Sequence, residues 1–141
     1  MHYSEWLGKI YVLEQYLQEC IAPVCKEYHL NGTEMTVLLF LYNNPTYDRA
    51  VDIVNLRGIT KSHVSMSVRS LEEKAFLLCS VHPKDRRTVL LELTDAGRHV
   101  AAQARQVQES FFQSLYEGID PKDLAIWNRV RNQISDNIQK L

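Results

Sequence analysis

Glycine and proline are scarce in this chain of 141 residues, with 5 and 4 respectively. Helix formers dominate instead, and the chain shows no internal repeat, linker or low-complexity segment. Cysteine is also rare. Three is an odd number, which fits a reducing compartment better than a disulfide framework. Cys20 and Cys25 lie on one expected helix, separated by about 7.5 Å of rise and about 140° of rotation, so they do not bridge while that helix is intact. No stretch approaches 18 consecutive apolar residues, and Met1-His2-Tyr3-Ser4-Glu5-Trp6 lacks a secretory pattern. The expectation is a soluble cytoplasmic protein without a membrane span. Charge of one sign is lacking too, since the net value is −1. Catalytic signatures are missing: there is no phosphate loop, no dinucleotide glycine pattern, no nucleophile elbow and no His-Glu-x-x-His run. His2, His29, His63, His82 and His99 are scattered, and Glu19, Cys25 and His29 lack the tight ligand pairs of a structural zinc site. No enzyme, cofactor or metal is expected.

What is present is helical periodicity. Hydrophobic residues make up 45% and charged residues 23%, ordinary values for a single globular chain over residues 1–141. Trp6, Ile10, Leu13, Leu17, Ile21 and Val24 recur at intervals of three and four, one apolar stripe over residues 3–28. Pro23 bends it near its end. The stripe is too long for a small domain to cover alone, so part of it is expected to meet another chain. Asn31 or Thr33 caps a densely apolar helix, Met35 to Tyr42, which ends at Asn43-Asn44-Pro45. Asp48 is expected to cap the next helix, Gly58 to turn, and Thr60 to cap a third. Two longer helices follow, over residues 95–117 and from Asp120-Pro121 onward. The last carries Leu124, Trp127, Val130, Ile134, Ile138 and Leu141.

The segment 60–97 is the most informative. Its helix, Thr60 to Lys74, turns Val64, Val68 and Leu71 into one arc of about 60°. The opposite side carries Ser62, Met66, Arg69 and Glu73, flanked by His63 and Ser65. Phe76–Val81 and Val89–Leu93 then read as two strands joined by a seven-residue basic tip that includes Lys84, Arg86 and Arg87. Between residues 57 and 87, seven Lys/Arg face three acids, an excess of four positive charges, whereas the remainder of the chain is acidic. A small polar helix face suits a major groove, and arginines suit a narrow minor groove. Thr60, Lys61, Ser62, His63, Ser65, Met66 and Arg69 are therefore candidate DNA-binding residues on the helix. Ser reads base edges, Met66 meets a thymine methyl, and Lys61 and Arg69 are better placed for phosphate. Lys84, Arg86 and Arg87 are the candidates on the hairpin. Asp85 is expected to orient Arg86 or Arg87 through a carboxylate–guanidinium pair.

Lys61-Ser62-His63-Val64-Ser65, Leu71-Glu72-Glu73-Lys74, Asp85-Arg86-Arg87 and Leu93-Thr94-Asp95-Ala96-Gly97 together resemble the multiple antibiotic resistance regulator (MarR) family of bacterial transcription factors. The resemblance spans about residues 30–98. It implies a mainly α fold with a small β-hairpin, a winged helix-turn-helix over 30–98, and N- and C-terminal dimerisation helices over 1–28 and 99–141. It also implies a homodimer on double-stranded DNA with a pseudo-palindromic operator, Arg86 or Arg87 in the minor groove, and repression relieved by a small lipophilic or phenolic effector. Some relatives respond to oxidation of a first-helix cysteine, which makes Cys20 and Cys25 candidate redox residues in an alternative reading. A winged-helix module for protein–protein contacts is the other alternative. Two departures stand out: Met66 occupies a place where an arginine or another polar residue is common, and Ala75 replaces the usual glycine.

Overall fold

The computed structural model describes residues 2–141. Six helices and one hairpin follow in the order α1 (Tyr3–Glu27), α2 (Gly32–Asn43), α3 (Ala50–Arg57), α4 (Lys61–Glu73), β1 (Leu77–His82), β2 (Asp85–Leu93), α5 (Asp95–Leu115) and α6 (Pro121–Ile138). They divide into two compact units, one running through Gln108 and the other from Glu109 to Leu141, with the boundary inside α5.

In the first unit, α2 lies at the centre. Met35 and Val37–Leu41 are all buried, so the helix is apolar nearly all round, as a helix covered on several sides must be. Asn31 starts it: its Oδ1 accepts the Glu34 amide at 2.8 Å, and Glu34 accepts the Asn31 amide at 2.8 Å. This reciprocal capping box satisfies two donors that a helix start leaves open. Around α2 pack Ile21 and Val24 of α1, Ile53 of α3, Val64, Val68 and Leu71 of α4, Leu77, Leu91 and Leu93 of the hairpin, and Val100, Ala101 and Ala104 of α5. The C-terminal part of α1 thus belongs to the same core as the helix-turn-helix. Its N-terminal part is uncovered: Trp6, at 45% exposure, Leu7, Ile10 and Tyr11 face solvent.

Asp48 does not cap α3. The N-cap is Arg49, whose side chain makes no capping bond. Residues 48 and 49 instead meet β2 through an isolated bridge: the Asp48 carbonyl accepts the Leu91 amide at 2.7 Å and Arg49 bridges Leu90. Tertiary pairing with β2 has overridden the local capping preference.

The second unit contains the end of α5 and α6. Asp120 caps α6 by accepting the Lys122 amide at 2.7 Å, with Pro121 in the first turn. Phe112 packs edge-on against Phe111 and stacks on Tyr116. No residue of α6 is buried, and Trp127, Val130, Ile134 and Ile138 form an exposed apolar series.

Candidate nucleic-acid interface

Gly58 ends α3 in the left-handed region, φ 63°, and donates its amide to Val54. A residue without a Cβ adopts that conformation at little cost, so the chain reverses sharply into α4. Thr60 caps α4 by accepting the His63 amide at 3.3 Å. Val64, Val68 and Leu71 are buried, and so is Ser67 on the edge of that arc. Lys61, Ser62, His63, Ser65, Met66 and Arg69 are exposed. Met66 is the most apolar group on this face and is 69% exposed. A shallow groove on the helix is lined by Ser65, Met66, Arg69, Ser70 and Glu73.

The hairpin differs from its sequence-based expectation. β2 begins at Asp85, so the turn is only Pro83-Lys84 rather than a seven-residue loop. His82 pairs with Asp85 and Val81 with Val89, which leaves Arg86, Arg87 and Thr88 without partners on β1. The arginines therefore stand on a bulge of the returning strand and not on the tip, which holds Lys84. A bulge re-aims side chains and raises local twist.

Asp85 shapes that bulge in a way its sequence does not suggest. Its two oxygens accept the Arg87 amide at 3.0 Å and the Thr88 hydroxyl at 2.8 Å. Among the described residues it forms no ion pair with either guanidinium. The hydrogen bonds from Thr88 and the Arg87 amide, with the charges of His82 and Arg49 nearby, hold its carboxyl below the ordinary value of 3.8. Orientation thus acts through the backbone, and the guanidinium groups stay available. Arg49 is a basic group that sequence reasoning missed. It lies outside the basic window and reaches the wing only because residues 48–49 pair with β2.

Lys74 is a second group whose role the sequence hides. It adds to the local positive charge on paper, but its Nζ contacts both oxygens of the buried Glu34 at 3.1 and 3.2 Å.

These features match known proteins. The sequence signature described as MarR family covers residues 29–88. A MarR family regulator from Listeria monocytogenes, solved in complex with a 26mer DNA, has the same architecture. Its TM-score is 0.80 at 17% identity, over 94% of this chain and 87% of that one. The chain has the winged-helix fold of MarR regulators. A MarR transcriptional regulator from Methanosarcina mazei Go1 has a TM-score of 0.78 at 19% identity, over 97% and 99% of the two chains. The uncharacterized HTH-type transcriptional regulator YwaE of Bacillus subtilis is 24% identical over 115 residues. That match covers 82% of this chain and 67% of YwaE, so the chain spans about two thirds of its relative's length. The fold is thus one also seen in proteins described as transcriptional regulators. No helix among the described residues is long and apolar enough to cross a membrane, and no cluster of three potential metal ligands occurs among them.

Two further features lie on α1. A cavity of about 360 Å³ opens between α1 and α2, with Leu17, Ile21, Met35, Leu39 and Phe40 as apolar lining and Glu14 and Arg57 among its polar groups. Cys25 also lines it. Burial pushes the Cys25 thiol above its ordinary value of 9.0, with the Glu34 charge adding to the effect against a backbone hydrogen bond. Such a thiol is mostly protonated at neutral pH and a poor nucleophile. Cys20 is exposed on the same helix.

Proposed function

We propose that the chain is a sequence-specific, double-stranded-DNA-binding transcriptional regulator that works as a homodimer on a pseudo-palindromic operator. The observation that carries this reading is the pairing of an exposed, small-residue helix face on α4 with unpaired arginines on the wing bulge, in a fold also found in complex with DNA. Ser62, Ser65 and Met66 read base edges in the major groove. Thr60, Lys61, His63 and Arg69 hold phosphate or the groove rim. Arg86 or Arg87 enters the minor groove, while Lys84 and Arg49 engage the flanking backbone.

The exposed apolar series on α1 and on α6 support pairing of two copies, since contiguous apolar surface of this kind marks an interaction site. Two-fold pairing sets half-sites roughly 34–36 Å apart, one turn of the duplex. Action as a repressor relieved by a small lipophilic or phenolic effector is supported by the cavity between α1 and α2, whose largely apolar lining and few polar groups, Glu14 and Arg57 among them, suit such a molecule.

Titration of the chain's own promoter region across salt concentrations tests the reading. Affinity should fall steeply between about 50 and 200 mM salt. Arg86→Ala and Arg87→Ala should each lower the log–log slope by about one where the guanidinium meets a phosphate. A flat salt response, or equal affinity for random duplex, would sink it.

A further inference from the structure

The last turn of α4 is held by an ion pair from outside the DNA-facing surface. Lys74 is the C-cap of α4. Its ammonium donates to the His29 carbonyl at 2.8 Å and to both oxygens of Glu34 at 3.1 and 3.2 Å. Glu34 is only 3% exposed. Burial pushes its carboxyl up, but hydrogen bonds from the Ser70 side chain, the Asn31 amide and Lys74 outweigh this and hold it below its ordinary value. Ser70 lies in the last turn of α4 and Lys74 caps it four residues on, so both face the one carboxylate. Asn31 and His29 belong to the α1–α2 corner, which is itself closed by the Leu30 amide on the Cys25 carbonyl at 2.8 Å.

We propose that Glu34 and Lys74 are positioning residues for DNA recognition: the buried carboxylate and its cation fix the angle of α4 so that Ser62, Ser65, Met66 and Arg69 meet the groove together. The inference rests on the DNA-binding reading above. Glu34 touches no base or phosphate in this arrangement. It acts through α4, by holding the C-terminal turn while Thr60 fixes the N-terminal one. A helix held at both ends presents its side chains in one register. Freed at its C-terminal end, α4 samples several tilts, and base contacts suffer more than the diffuse phosphate attraction does.

The test compares Glu34→Gln, Lys74→Met and Lys74→Arg with the parent chain, using the promoter duplex and a random-sequence duplex at several salt concentrations. Glu34→Gln keeps the shape and removes the charge. Lys74→Met keeps the stem and removes the cation, and Lys74→Arg returns a cation. The expected result is a loss of about tenfold in affinity for the promoter duplex in the first two, comparable to one lost specific base contact. Affinity for random duplex should stay within about twofold, the salt slope should be unchanged, and Lys74→Arg should recover most of the loss. If Glu34→Gln fails to fold, the two Lys74 variants carry the comparison. Unchanged promoter affinity in folded Lys74→Met overturns the proposal. So does an equal loss on both duplexes with a slope lowered by about one, which would make Lys74 a phosphate contact. A parent chain without sequence preference removes the DNA-binding reading itself, and that outcome is visible before any variant is compared.

Discussion

Ala75→Gly should stabilise the protein, and the reason lies in how α4 ends. Ala75 has φ 61°, in the left-handed region, although it carries a Cβ. Two hydrogen bonds enforce this: the Ala75 amide donates to the Glu72 carbonyl at 3.0 Å and the Phe76 amide donates to the Leu71 carbonyl at 2.9 Å. This is the six-to-one and five-to-two pattern of a Schellman end, whose left-handed position glycine usually fills. An L-residue there costs about 1–2 kcal/mol. Glycine removes that strain but adds unfolded-state entropy worth about 0.4–1 kcal/mol. Ala75 is exposed, so loss of its methyl removes little packing. The balance is a gain of about 0.5–1 kcal/mol. For a chain of this length it raises the melting temperature by about 2–3 °C. Urea or thermal unfolding at fixed protein concentration measures it, because an oligomer's stability depends on concentration. A midpoint unchanged or lowered in the Ala75→Gly variant would refute the claim that this residue is strained.

Three further outcomes follow from the same contacts. Gly97→Ala should destabilise by at least about 2 kcal/mol, since an added Cβ would collide with the Phe76 backbone carbonyl, which cannot step aside; urea unfolding reads this directly, and a neutral result contradicts the close approach. Glu34 should contribute to the acid limb of stability. Its folded pKa is depressed, so its contribution is complete above the ordinary value of 4.5 and is lost as pH falls through the folded value. Glu34→Gln should therefore flatten the pH dependence of unfolding below about pH 5, and an unaltered acid limb would show the carboxylate is not held as described. Among the thiols, Cys20 is exposed, whereas Cys25 is shifted up by burial and Cys79 is pushed up to about 11 by burial and the Glu72 carboxylate. Alkylation at mildly alkaline pH, followed by peptide mass mapping, should label Cys20 first. Faster labelling of Cys25 would make it the better redox candidate of the two.

Local rules read well where one residue's chemistry decides an outcome. Thr60, Asn31 and Asp120 cap the helices they precede. Val64, Val68 and Leu71 are buried opposite Ser62, Met66 and Arg69 because a 3.6-residue period leaves no other arrangement. The motif Thr94-x-x-Gly97 gains a physical reason only in three dimensions. The Thr94 hydroxyl donates to the Ala75 carbonyl at 2.7 Å and accepts the Gly97 amide at 3.0 Å, while Gly97 lies too close to Phe76 for any side chain. Sequence showed the residues; the meeting of α5 with the α4–β1 corner explains them.

The remaining departures share one cause. Asp48 reads as a helix cap and instead accepts from β2; Asp85 reads as a partner for a guanidinium and instead holds a backbone amide and Thr88; Lys74 counts as surface charge and is bound to Glu34. Each has a polar group with several partners in reach, and hydrogen bonds of similar strength are chosen by geometry alone. By itself the sequence determined the helices, the caps of α2, α4 and α6, the buried and exposed sides of α4 and the basic character of the helix-and-wing segment, because periodicity and charge are properties of neighbouring residues. The tertiary structure decided where the arginines stand on the wing, which lysine is tied up, and what holds α4 at its far end, because the first depends on the pairing register of the hairpin and the others on Glu34, 40 positions from Lys74.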